Sequence, residues 1–339
     1  MGEDKIAALI QESLNVATRT GAARPSDFTK IIVDTTVQPK AVAFPTDAKL
    51  MHRAREKLVR LARQQGLDLR QSYRRLGKSA LIMHQRYAHA KQFKRANKAL
   101  KVLRTYLGRV IRDIGRKISG DESKQAAFAQ VLWLAHSVRH RQQRQRGKKI
   151  YSLHAPEVEC IGKGKAHKPY EFGVKVSIAT TLNHSRGGQF IAHARALPGN
   201  PYDGHTLETV IPDIQRQVGA SIQRLIADKG YRGHTAPEDY KYRIYISGQK
   251  RGVTDAIKRD LKRRSAVEPV IGHAKSDHRM DRNYLAGAKG DAINAVLAAA
   301  GYNFKRLLAW LRRLLRVWTT LAPAAIVPDE DPQLRAQAN

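Results

Sequence analysis

Residues 30 to 37, KIIVDTTV, run through β-branched side chains almost without a break around one acid, Asp34, the pattern of a buried strand that delivers a carboxylate. The next hundred residues carry almost no strand signal. From 48 to 149, stretches such as AREKLVRLARQQG and RANKALKVLRTYLGRVIRDIGRKI repeat apolar positions at helical spacing, and glycines mark the breaks, which predicts an all-helical block. Strand patterning returns where Phe172, Val174, Val176 and Ile178 alternate. The stretch GQFIAHARAL at 188 to 197 predicts a second strand beyond the turn at Gly187 and Gly188, and the two should pair as a hairpin. Leu207, Val210, Ile211, Ile214 and Val218 fall at helical spacing, with Pro212 expected to kink or delay the helix. IQRLIA at 222 to 227 reads as a short strand ending at Asp228, and YRIYIS at 242 to 247 as one more. Two helices, about 254 to 280 and 291 to 318, are predicted to close the chain, and the polar, Pro-rich stretch from 322 is expected to be loose.

Composition changes this picture mainly through charge. The chain has 339 residues and 42% hydrophobic positions, so it can bury a large core and is not a disordered polymer. Its 62 Lys and Arg against 29 Asp and Glu give a formal net charge of +33, a self-repulsion that calls for a polyanionic partner. The helical block alone holds 28 Lys and Arg against 5 Asp and Glu, the electrostatic footprint of a nucleic-acid contact surface. Charge alone would also suit a protein coating a membrane surface or a ribosome. The single Cys160 excludes an internal disulfide and Cys-based zinc clusters. The opening MGEDKIAALIQESLN has no long apolar run and is not a signal peptide, and LLAWLRRLLRVW carries arginines at helical spacing and reads as an amphipathic helix. A soluble, cytoplasmic, nucleoid-associated protein without a membrane partner is therefore expected. The expected division is an N-terminal segment with the first strand at 1–47, the basic helical insertion at 48–149, the rest of an α/β catalytic domain at 150–321, and a tail at 322–339.

Acids at the end of the first strand, after a later strand and on a late helix follow the order expected of a ribonuclease H-like fold, a mixed sheet flanked by helices. Two-metal phosphoryl transfer needs such placement, because two hard cations about 3.5–4 Å apart must be held by oxygens on rigid elements. Each acid alone would read as a solvated or salt-bridged carboxylate. The text around them is more specific. The stretches IIVDTTV at 31 to 37, YDGHTL at 202 to 207, ADKGYRG at 227 to 233 and VEPVIGHAK at 267 to 275, followed by RNYL at 282 to 285 and GYNFKRL at 301 to 307, resemble the DDE transposases of bacterial insertion sequences. The resemblance runs from about residue 30 to 317. It implies that Asp34, Asp228 and Glu268 are the three catalytic acids and ligands of Mg²⁺, with Mn²⁺ as a substitute, and that the substrate is double-stranded DNA, as element terminal repeats and target. It implies hydrolysis at element ends followed by strand transfer. A stand-alone nuclease of the same fold and a non-catalytic basic DNA-binding protein are the alternatives.

The family's third-acid signature also calls for a tyrosine, an arginine and a lysine at set spacings. Arg264, Glu268 and Lys275 fit, whereas Leu261 stands where the tyrosine belongs, and Pro269 is expected to restart the helix and put the position of Arg264 in doubt. Glu238 and Asp255 are nearby acids that read as plain surface carboxylates. Lys229, Tyr231 and His205 are candidate DNA contacts beside the acids, with Tyr231 either stacking on a base or packing against the sheet. Lys91, Lys94, Arg95 and Lys98 are candidate phosphate contacts in the helical block. Asp203 and His205 either line the site or form a turn with a helix cap. His167, His273 and His278 have no cysteine partner at ligand spacing, so zinc is not expected. A transposase holds two element ends at once, so a homodimer on DNA is expected. The stretch before Ile31 is too short for a separate DNA-binding domain, which suggests a chain incomplete at its start. LARQQGLDLRQSY at 61 to 73 faintly suggests a helix-turn-helix, a plain helix being the better reading.

Overall fold

The structure is a computed structural model that describes residues 3–142, 145, 147, 149–164, 166, 167 and 169–321. The tail expected to be loose lies outside these residues. In chain order the elements are α1 (Glu3–Arg19), β1 (Lys30–Pro39), α2 (Asp47–Gln64), α3 (Arg74–His89), α4 (Phe93–Lys117), α5 (Glu122–His140), β2 (Glu159–Gly162), β3 (Tyr170–Thr181), β4 (Ile191–Leu197), α6 (Leu207–Val218), β5 (Arg224–Ala227), β6 (Ile244–Ile246), α7 (Asp255–Lys262), α8 (Val267–Ser276) and α9 (Gly287–Leu321). Among the described residues no helix is long and apolar enough to cross a membrane.

The fold is mixed α/β. One sheet runs β2-β3-β1-β5-β6, with β4 also paired to β3. β3 is antiparallel to β1 and to β4, as the hairpin pattern predicted, while β5 runs parallel to β1 and β6 parallel to β5. Successive side chains of β1 point to opposite faces. Ile31 and Val33 enter a core with Leu207, Val210, Ile211 and Ile214 of α6. Ile32 packs instead with Ile226, Leu182 and Val267 of α8. Val174, Val176 and Ile178 of β3 join α1 and α9 in the largest apolar cluster. Helices thus cover both faces of the sheet. Helices α2 to α5, lying between β1 and β2 in the chain, close on a cluster of their own around Leu58, Leu103, Leu107, Ile114 and Phe128.

Several details differ from the pattern-based expectations. Pro212 neither delays nor ends α6, which runs through it from Leu207. The helix expected at 254 to 280 is divided into α7, a 3-10 turn at Arg263–Ala266, and α8. The stretch 61 to 73 is the last turn of α2 and an extended connection. That connection is held by Arg55 donating to the Ser72 carbonyl, 2.8 Å, and by the Arg70 amide donating to Asp113, 2.8 Å. It is therefore neither a continuous helix nor a helix-turn-helix.

Two buried polar contacts tie α9 to the sheet. Asn303, fully buried, accepts from the Ile191 amide and donates to the Ile191 carbonyl and the Ser13 hydroxyl, each at 2.9 Å. It fixes the start of β4 beside the bulge between Ala179 and Thr180. Beyond the end of β1, Lys40 pairs with Asp291 at 2.7 Å and Glu157 at 3.0 Å, and Asn283 donates to Asp291 at 2.6 Å. Lys40 and Asp291 are only 4% and 7% exposed at the side chain. Removing one partner of such a group strands a buried charge, at a cost of about 3–5 kcal/mol. Lys40→Met should therefore destabilise the protein by that amount in urea unfolding, and Lys40→Met with Asp291→Leu should recover much of the loss. A single-variant loss under about 1 kcal/mol would show that the pair is not a buried anchor.

Candidate active site

The site begins with strand register. Ile32 of β1 faces Ile226 of β5 in the parallel pair, and the same step carried two residues further sets Asp34 beside Asp228. β5 ends at Ala227, and Asp228 caps the 3-10 turn at Lys229–Tyr231, its Oδ1 accepting from the Gly230 amide at 2.8 Å. A Cβ on Gly230 would lie 3.0 Å from Asp228 Oδ1 and 3.1 Å from Asp203 Oδ2, so two carboxylates close in on this glycine and a side chain would crowd both. Asp34 Oδ1 accepts from the Thr35 amide at 2.8 Å. Burial pushes the Asp34 carboxyl up to about 6, and the charges of Asp228 and Asp203 add to the shift, against the opposing Thr35 amide and Arg264.

Asp203 does not serve as the helix cap that its turn sequence allows. It opens the 3-10 turn at Asp203–Thr206, and its Oδ1 accepts from the Thr35 hydroxyl and the Lys175 ammonium, both at 3.0 Å. Lys175 also donates to the Pro201 carbonyl at 2.7 Å. Thr35 and Lys175 belong to β1 and β3, so the sheet itself aims this carboxylate.

Arg264 joins the third acid to the first. From the 3-10 turn before α8 its guanidinium reaches Glu268 Oε1 at 2.8 Å and Asp34 Oδ2 at 3.4 Å. Pro269 does not displace it, because α8 starts at Val267 and the proline falls in the first turn, where no intrahelical hydrogen bond is lost. Leu261, at the family's tyrosine position, packs against the apolar cluster of Ile32, Leu182, Ile226 and Val267. Lys275 lies half-buried in the last turn of α8. Among the described residues, no three His, Cys, Asp or Glu side chains stand close enough to hold a metal ion as they are placed. Glu268 is 63% exposed at its side chain and turned to Arg264.

The remaining candidates are scattered. Lys229 is exposed, with its stem against Gly248. His205 is exposed and lies edge-on to Tyr202, ring centroids 5.2 Å apart. Tyr231 is fully buried in the core under α6, so its ring is not available to stack on a base. Lys91, Lys94, Arg95 and Lys98 are exposed at the α3–α4 corner and the start of α4, away from the sheet in the chain. Glu238 and Asp255 pair on the surface with Lys241 and Lys258. Pattern reading missed Lys175 and Thr35. A lysine on an otherwise apolar strand was the available signal for the first.

The geometry defines a mixed α/β protein in which an acid inside β1, Asp34, and an acid just past the end of the parallel β5, Asp228, lie close together. Residues 226–308 match the family described as the transposase DDE domain. The segment contains Asp228, Arg264, Glu268, Asn283 and Asn303, whereas Asp34 and Asp203 precede it. The chain is also 48% identical over 93 residues to an uncharacterized protein, ORF8 in the nfe locus, of Rhizobium meliloti. That alignment covers 27% of this chain and 45% of the relative, less than half of its length. No solved structure matches the chain.

Proposed function

We propose that this chain is a DNA transposase of ribonuclease H-like fold that hydrolyses phosphodiester bonds at element ends and transfers the freed strand into target DNA. The observation that carries the proposal is the closeness of Asp34, inside β1, to Asp228, just past the end of the parallel β5, with Glu268 tied to Asp34 through Arg264. The order β4-β3-β1-β5-β6, antiparallel up to β1 and parallel after it, supports the fold. Asp34, Asp228 and Glu268 are hard oxygen donors suited to Mg²⁺, with Mn²⁺ as a substitute, and the half-buried Asp34 lacks enough local positive charge to offset its acidic neighbours. When bound, such ions polarise the phosphodiester and stabilise the charge that develops on the attacking and leaving oxygens. The chain's own residues orient the carboxylates through the Thr35 and Gly230 amides, and Arg264 restrains Glu268 beside them.

Helices α2 to α5 are proposed as the insertion that tracks the DNA backbone. Their surface carries exposed Lys91, Lys94, Arg95 and Lys98 and a cavity of about 610 Å³ lined by Arg70, Arg109, Arg112 and Arg116 with Tyr73 and Asp113. Arginine forks of this kind suit phosphate oxygens. A homodimer would hold two element ends at once, and a DNA partner would place the protein at the nucleoid.

Asp228→Asn should abolish Mg²⁺-dependent cleavage of element-end DNA, by at least about 1000-fold, and leave DNA affinity within twofold, because it removes a metal ligand without adding bulk. Equal loss of both would point to a folding role. Cleavage that persists in a chelator would overturn the mechanism. Cleavage without joining in a strand-transfer assay would leave a nuclease.

Replacing Lys91, Lys94, Arg95 and Lys98 together by Gln should flatten the slope of log affinity against log salt by up to roughly 3.6, since each phosphate contact contributes about 0.9. The change should be the same for all DNA sequences. An unchanged slope, read by fluorescence anisotropy over a salt series, would mean that the DNA runs elsewhere.

A further inference from the structure

Resting on that reading of the chain as a DNA transposase, we propose that the groove α2 forms with residues 42–45 and 151–154 holds an unpaired stretch of DNA, with Phe44 as the ring on which a base stacks. The face of α2 gives the groove its charge. Lys49, Arg53, Lys57 and Arg60 follow one another at helical spacing, so they share one side of the helix along about 16 Å. All four line a cavity of about 340 Å³ with Phe44 and Tyr151. Glu56, the one acid of that lining, is taken by His52 at 3.2 Å and Arg55 at 3.6 Å. Among the described residues no carboxylate pairs with any of the four cations. Four such charges side by side repel one another, and a run of phosphates relieves the repulsion.

The aromatic side of the groove is independently supported. Phe44 is 63% exposed in the short connection between β1 and α2. Its ring meets that of Phe172 edge-on, centroids 5.4 Å apart, and Phe172 in turn meets Tyr151 at 5.4 Å. The Arg141 guanidinium lies 5.0 Å over the Tyr151 ring and is itself held by the Ile150 carbonyl at 3.1 Å and by Asp47 at 3.5 Å. The exposed ring is therefore backed by β3 and by the helical block. A supported ring beside a row of unpaired cations matches a nucleotide chain, which is anionic along its backbone and has flat apolar faces on its bases. A duplex keeps those faces stacked on one another, so an unpaired strand is the form that offers them. The connection starts at Lys40, about 20 Å along β1 from Asp34, which keeps the groove within reach of a strand opened at the acids.

Phe44→Ala removes an exposed ring and should leave the thermal midpoint unchanged. By fluorescence anisotropy on the full chain without added metal, its affinity for dye-labelled oligothymidine should fall about tenfold, the loss of one base stack, while affinity for a fully paired duplex stays within about twofold. Phe44→Trp should keep the wild-type affinity for oligothymidine, and the emission it adds to that of the native tryptophans should be quenched on binding. Arg53→Gln with Arg60→Gln should lower the slope of log affinity against log salt for oligothymidine by about 1.4, at roughly 0.7 for each single-strand phosphate, and leave the duplex slope alone. The Trp and arginine variants decide the matter should Phe44→Ala fail to fold: unquenched emission with unchanged slopes would contradict the assignment. Equal weakening of both DNA forms in Phe44→Ala would overturn it by making the groove a duplex contact. Oligothymidine affinity that is unchanged in Phe44→Ala, or absent in a wild type that still binds duplex, would overturn it and leave the transposase reading standing. A wild-type chain that binds neither form would sink both.

Discussion

The alignment of Ile32 with Ile226 across the β1–β5 pair governs the chemistry of this molecule. One residue of slip would turn Asp34 to the other face of the sheet and separate it from Asp228. The alignment is resisted from both sides: Ile31 and Val33 are locked under α6, and Ile32 is locked under α8. It also creates a problem. Two carboxylates on neighbouring parallel strands, Asp34 within β1 and Asp228 just past β5, repel, and the same fold brings Asp203 up to them. The raised Asp34 carboxyl reports that repulsion together with burial. The Thr35 and Gly230 amides, Lys175 and Arg264 are the local answer, each bonded to one or two of these acids.

The distribution of charge extends this logic to the whole chain. The acid centre is a negative island in a strongly basic protein, and much of the positive excess lies in the helices between β1 and β2. A polyanion gripped by those helices and led to the acids would neutralise the repulsion of the block, while cations at the centre would neutralise the acids. Both halves of the proposed function therefore answer an electrostatic imbalance that the isolated chain carries. Lys40, Asp291, Glu157 and Asn283, and separately Asn303 with Ser13, hold α9 and the strand ends in place by buried contacts that neither cation nor DNA would alter.

Periodicity revealed those parts of the fold that obey it. β1, the β3–β4 hairpin and α6 were legible because their apolar positions alternate or recur at helical spacing. β2 was not, since its four residues, ECIG, take their conformation from pairing with β3 and carry no pattern of their own. The break between α7 and α8 was also hidden: Arg263–Ala266 contains no glycine or proline, and the 3-10 turn there is a tertiary arrangement in which Arg263 reaches the Leu182 carbonyl and Arg264 reaches Asp34. At the site, Asp34 stood out as the one acid inside an apolar strand and Asp228 as the acid directly after one. Asp203 did not, because a turn uses the same residues as a site does, and only the cross-strand contacts to Thr35 and Lys175 separate the two. Tyr231 was ambiguous for the same reason, its ring being equally suited to a base and to the core it occupies.

The central claim, that Asp34 and Asp228 belong to a cation-binding centre, is tested most directly by anomalous scattering from crystals of the full chain grown with Mn²⁺. The account predicts a manganese peak bridging the Asp34 and Asp228 carboxylates, with metal–oxygen distances of about 2.0–2.3 Å. Manganese bound only at other acids, with Arg264 still spanning Asp34 and Glu268, would contradict it.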